Sequence, residues 1–174
     1  SNNNTSMEIN YTIKMPITNS LDLSNDYGSI NLTKLEGHAK ISCDYGQMMI
    51  GELMADDNYL NFDYTSKSSI EYMKSGKINA DYGSIKIDRL KSTAKNIVIG
   101  ADYTSIKLGY DSGYNFDFTF NLQYASFNGE DGLTIKHSST ENSSKRFSGF
   151  YGSENSGNTV NINSEYGGVT LTKY

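Results

Sequence analysis

A chain of 174 residues with 36% hydrophobic content can bury one thin core, and a net charge of -5 with lysines and arginines scattered singly offers no basic stripe to a nucleic acid. No apolar run approaches the roughly 20 residues a membrane helix needs. The single cysteine, Cys43, excludes an internal disulfide and reads as a small core residue.

The chain opens on Ser1-Asn2-Asn3-Asn4-Thr5-Ser6, a polar, low-complexity stretch that reads as a linker or leader remnant over residues 1–7, ahead of one domain over 8–174. From there a short cell recurs, a tyrosine preceded by an acid or amide and followed by a small residue. Its copies centre on Tyr27, Tyr45, Tyr64, Tyr82, Tyr103, Tyr124 and Tyr166, at intervals of 18, 19, 18, 21, 21 and 42 residues. The last interval is twice 21, so the period is that of a stacked repeat.

Each unit alternates, shifts phase once and alternates again. Leu21-x-Leu23 leads through Tyr27 to Ile30-x-Leu32; Ile41-x-Cys43 through Tyr45 to Met48-x-Ile50; Ile78-x-Ala80 through Tyr82 to Ile85-x-Ile87. Ile97-x-Ile99-x-Ala101 continues to Ile106-x-Leu108, and Val160-x-Ile162 to Val169-x-Leu171. Period two predicts strands, and a slip at Gly-Ser predicts a bend with both halves facing one interior. Polar turns such as Glu36-Gly37, Lys74-Ser75-Gly76 and Asp111-Ser112-Gly113 separate the units, and no stretch sustains a helical period. Like chemistry at like positions favours an all-β, single-domain β-solenoid, β-helix-like, of about seven to eight coils with 18–21 residues each, over successive hairpins.

Two units break the plan. After Tyr64, the run Thr65-Ser66-Lys67-Ser68-Ser69-Ile70 suggests a delayed or lost second strand. Residues 137–157 are rich in Ser, Asn and Gly and lack a tyrosine near 145, which predicts a long loop or hairpin in place of one coil.

Within the cell, tyrosine shares the inward phase of the preceding Ile or Ala, predicting a buried column of rings with hydroxyls at the edge. Tyr82→Ala is then expected to cost about 3–5 kcal/mol. The acid, in the opposite phase, suits an Asx-type turn. Carboxylates stacked about 4.8 Å apart repel by roughly 0.9 kcal/mol even in water, which calcium would relieve. The dense Asp and Gly spacing of calcium-binding nonapeptides is absent and Gln123 interrupts the row, so no metal site is assigned.

His38 and His137 lie in polar surroundings without a ligand-spaced partner. Gly-x-Ser-x-Gly, Walker and dinucleotide motifs are absent, and Cys43 has no neighbouring base. No catalytic, metal or cofactor residue is assigned, and the chain reads as a non-enzyme. Tyrosines outside the cells, Tyr11, Tyr59, Tyr72, Tyr110, Tyr114, Tyr151 and Tyr174, fit core or edge packing for the most part. Tyr151 is the best single candidate among them for an exposed contact.

These cells, with Ile13-x-x-Pro16 before Leu21-x-Leu23 and the closing Gly149-Phe150-Tyr151-Gly152 before Val160-x-Ile162-x-Ser164-x-Tyr166-Gly167, resemble the bacterial adhesin family of β-strand-repeat proteins common in the Bacteroidetes, over residues 8–174. The resemblance implies an exported β-solenoid, secreted or lipoprotein-like, in the periplasm, anchored at the outer membrane or extracellular. It transfers no functional residue. The leading expectation is a non-enzymatic cell-surface or periplasmic repeat protein presenting a repetitive β face to a protein or glycan. The alternatives are a polysaccharide-acting enzyme on a β-helix scaffold, or a structural, self-assembling envelope module. A site, if present, is expected where the repeat breaks, at residues 65–72 and 137–157.

Overall fold

The computed structural model describes residues 9–174; the polar stretch 1–7 lies outside them. Fourteen strands follow an irregular entry segment, and the described residues contain no helix. Each of the first three repeats supplies two strands: β1 (Leu21–Asn25) and β2 (Gly28–Leu35), β3 (Ala39–Asp44) and β4 (Gly46–Leu53), β5 (Asn58–Asp63) and β6 (Lys67–Met73). The fourth and fifth run through the corner as single strands, β7 (Gly76–Leu90) and β8 (Ile97–Tyr110). Then come β9 (Phe116–Gln123) and β10 (Ser126–Asn128), the hairpin β11 (Thr134–Glu141) and β12 (Ser144–Tyr151), and finally β13 (Thr159–Glu165) and β14 (Gly168–Lys173).

Pairing between repeats is parallel and in register. One ladder runs β1-β3-β5-β7-β8-β13-β9, and a second runs β2-β4-β6-β7-β8-β14-β10. The long strands β7 and β8 join the two into one open sheet, to which β12 and β11 add in antiparallel order. The last repeat does not stack at the end. β13 lies between β8 and β9, and β14 between β8 and β10, so residues 159–173 are inserted between the fifth and sixth repeats.

Register turns equivalent positions into core columns. Ile41, Leu60, Ile78, Ile99, Ile162 and Phe120 form one, and Ile50, Ile70, Ile87, Leu108 and Leu171 another. All are buried in one continuous cluster, to which both halves of every repeat contribute. Near the hairpin the aliphatic columns give way to aromatics: Tyr110 meets Phe116 and Tyr151 edge-on, and Phe120 meets Phe127.

Three sequence expectations need correction. The second strand after Tyr64 is delayed, as one alternative had it, but not lost: β6 starts at Lys67, its paired positions fall one residue later relative to the tyrosine than in the flanking repeats, and it pairs with β4 and β7. Ser68 takes the inward slot held by Met48 and Ile85 in the flanking repeats and is satisfied by donating to Thr65 Oγ1 at 3.0 Å, so a polar residue there does not break the strand. Tyr151 is not exposed. It retains 7% of its surface, packs on Tyr110 and donates to the Ser112 carbonyl at 3.3 Å. The third correction concerns the corner itself.

Candidate functional site: the corner ladder and the hairpin cleft

The phase slip occurs at tyrosine, one residue earlier than the Gly-Ser step. Tyr45, Tyr64, Tyr82, Tyr103, Tyr124 and Tyr166 adopt φ of 47–54°, the left-handed region. A left-handed residue turns the chain without alternating faces, so acid and ring both point outward and the following residue points in. In β8 the sequence reads Ala101 buried, Asp102 and Tyr103 exposed, Thr104 buried, Ser105 exposed, Ile106 buried. The rings therefore leave the core, which corrects the expected inward column.

The small residue is required by the neighbouring repeat. A Cβ on Gly83 would sit 2.1 Å from the Thr65 carbonyl oxygen, and one on Gly46 1.8 Å from that of Gly28. The acid does not tie the corner through its side chain. Backbone does so: Tyr45 N–H donates to the Asp63 carbonyl at 3.0 Å, Tyr64 N–H to Asp81 at 2.9 Å and Tyr166 N–H to Gln123 at 2.9 Å. This corrects the Asx-type turn. Asp44 Oδ1 is buried and has no hydrogen-bond partner.

Outside, the rings form one continuous stack in the order Tyr27, Tyr45, Tyr64, Tyr82, Tyr103, Tyr166, Tyr124. Adjacent centroids lie 4.7–5.4 Å apart, with interplanar angles of 1–16°. Each ring is about half exposed, Tyr82 at 48%, and Tyr27 at the free end reaches 77%. Faces are used by neighbours; edges and hydroxyls face solvent. Lost hydration raises the phenol pKa of Tyr82, reinforced by Tyr64, Tyr103 and the flanking Asp81 and Asp102, and does the same at Tyr166 with Tyr103, Tyr124 and Glu165.

Register aligns Asp44, Asp63, Asp81, Asp102 and Glu165 beside the rings. None of the ion pairs among the described residues involves them. Burial pushes the Asp63 carboxyl up, and Asp44 and Asp81 on either side add to it. Among the described residues, no group of three or more His, Cys, Asp or Glu is placed to hold a metal. Exposed His38 pairs with Asp57, His137 is exposed on β11, and Cys43 is fully buried with its thiol raised by burial and then by Asp44.

Two depressions adjoin this surface. One of about 460 Å3 runs beside the ladder, lined by Gly28, Ser29, Tyr45, Gly46, Gln47, Tyr64 and Ser66. The other, about 360 Å3, opens where hairpin β11–β12 continues the sheet and is lined by β9, β11, β12 and β13. The second takes Ser139, Glu141, Ser144, Lys145 and Arg146 from the predicted break at 137–157 and the rest of its lining from β9 and β13. The ladder, by contrast, was visible in the sequence only as a repeat, because its outward orientation depends on a backbone angle. Neither protein-family models, curated proteins nor solved structures provide a match to this chain.

Proposed function

We propose that this chain is a non-enzymatic β-solenoid of the bacterial cell envelope, exported and adhesin-like, that presents its tyrosine and carboxylate rows to an extended protein or glycan. The in-register parallel pairing of successive repeats supports a solenoid reading, with the antiparallel hairpin as a terminal addition. The resemblance of the Tyr-centred cells to the Bacteroidetes adhesin family supports the location.

The observation that carries the reading is the exposed seven-ring stack. Non-glycine residues in the left-handed region cost about 1 kcal/mol or more each, and glycine or asparagine would turn the same corner with less strain. Six successive corners nevertheless hold tyrosine there. The result is a rigid row of hydroxyls at the repeat spacing, preorganised to meet a partner that is itself extended. Replacing Tyr64, Tyr82 and Tyr103 together by serine is expected to abolish retention of the purified protein on isolated envelope fractions while leaving it folded. Undiminished retention would remove the ladder from the reading.

The open end favours a second reading, self-assembly. Among the described residues, β1 and β2 each pair on one side only, and Tyr27 stacks on one ring face. Unpaired strand edges template association. Sedimentation that depends on concentration would support it; a concentration-independent monomer would exclude it.

A further inference from the structure

We infer that the cleft at the hairpin is a saccharide-binding site for a neutral oligosaccharide with vicinal hydroxyls. This rests on reading the chain as a binding module, but not on the tyrosine ladder. Cross-strand register sets two rows of exposed polar side chains over four strands. Glu165, Gln123, Ser144 and Glu141 form one; Asn163, Asn121, Arg146 and Ser139 form the next. At the spacing of sheet strands the rows are about 14 Å long. This is the strip a short run of sugar units would need.

The chemistry of the rows separates them from the rest of the surface. Carboxylate, amide and guanidinium groups are planar forks that offer paired donors or acceptors, the geometry that adjacent hydroxyls on a sugar ring meet two at a time. Asn121 Nδ2 already donates to Asn163 Oδ1 at 2.8 Å, which holds the two amides side by side and leaves further donor and acceptor capacity open. Arg146, Glu141 and Glu165 project from these rows, and none joins an ion pair among the described residues; Lys145, paired with buried Leu122, belongs to the other face. One cation set among two carboxylates and the amides does not suit a polyanion. Convergent polar groups with open donor and acceptor capacity are the usual form of a small-ligand site. Tyr124 follows Gln123 in the chain and ends the ring stack with Tyr166 on one face, supplying an aromatic surface at the rim.

The test is a titration of the full chain with neutral hexasaccharides of β-glucan, mannan and xylan, with an uronic-acid hexasaccharide and an extended peptide as comparators, followed through side-chain amide resonances. Saturable shifts at Asn121, Gln123 and Asn163 with a neutral sugar are expected. Arg146→Gln and, separately, Asn163→Ala should weaken that binding about tenfold, the loss of one good hydrogen bond to a charged or paired group. Both positions are exposed, so an unchanged melting temperature checks the fold. Lys40→Gln, exposed on β3 at the other end of the sheet, should leave the titration unaltered. No saturable shift with any neutral sugar, tighter binding of the acidic sugar or the peptide, or full binding by Arg146→Gln each overturns the proposal. If sugar binds and shifts only the corner tyrosines, the cleft is excluded while the ladder reading survives; if neither responds to any partner, both fall.

Discussion

The stacked repeats and the hairpin end are built from one sheet, yet they use it differently. In the stack, each position across the sheet carries nearly the same residue from repeat to repeat, so the interior is columns of Ile and Leu and the exterior is columns of Tyr and Asp. At the hairpin the strand direction reverses, the interior turns aromatic, and neighbouring outer positions carry unlike groups such as Asn121, Arg146 and Ser139. Identity along a row makes a surface that suits a repetitive partner. Variety across a row makes a place where different functional groups converge. The polar character of residues 137–157 thus marks a change of task and not a failure of the fold.

Substitutions sharpen the contrast, and the deepest column should respond most. Ile99→Ala, buried with Ile78 and Ile162 on either side, should cost about 3–5 kcal/mol in denaturant unfolding. Little change there would mean the columns are not the source of stability. At the corner, Gly83→Val should cost about 3 kcal/mol, because its Cβ meets the Thr65 carbonyl, a backbone atom that cannot rotate away. A tolerated valine would show that repeats separate more easily than their register implies.

The ring outside the same corner should matter less. Tyr82→Ala is expected to cost about 1 kcal/mol, the scale of aromatic stacking, in place of the 3–5 kcal/mol appropriate to a buried ring. Tyr82→Gly should be more stable than Tyr82→Ala by about 1 kcal/mol, since only alanine retains the left-handed strain. Equal losses for the two would count against the strain.

The carboxylate row should give a smaller effect of opposite sign. Asp63 has its pKa raised in the fold, so its protonated form is favoured there; the resulting penalty is absent below the unfolded pKa and develops as pH rises through the folded value. Asp63→Asn should therefore gain up to about 1 kcal/mol at neutral pH, from relief first of the cost of burying the charge and then of repulsion by Asp44 and Asp81, and lose that advantage on acidification through the carboxylate range. Asp56 behaves in the reverse way, since hydrogen bonds from Lys74 and Lys95 lower its pKa, and its contribution fades as pH falls. Asp63→Asn and Asp56→Asn, compared against wild type over pH, separate the row from the turns. Least of all, Arg146→Gln at the hairpin should leave thermal stability within about 0.5 kcal/mol of wild type.

Much of this was legible in the residues. Alternating Ile78-x-Ala80 and Ile85-x-Ile87 announce two strands sharing one interior, and the absent tyrosine near 145 announces a departure from the stack. Ser68 misled because a hydroxyl in an apolar column looks like a break, whereas a second hydroxyl, on Thr65, makes it tolerable. Tyr151 misled because it lies in the Ser-, Asn- and Gly-rich run after His137, while its position against Tyr110 and Phe116 is a matter of long-range packing.

The chain by itself determined the strand class, the repeat length and the row to which each side chain belongs, because period-two patterning and recurrent cells are local properties. Tertiary structure decided which way the tyrosines face and where the last repeat sits. A single left-handed residue shifts the phase by one and can fall at Tyr or at Gly with the same apolar pattern on both sides: it falls at Gly28 in the first corner and at tyrosine in the six that follow. Insertion of β13 between β8 and β9 likewise depends on strand register across 42 residues of chain between Tyr124 and Tyr166, which no local periodicity encodes.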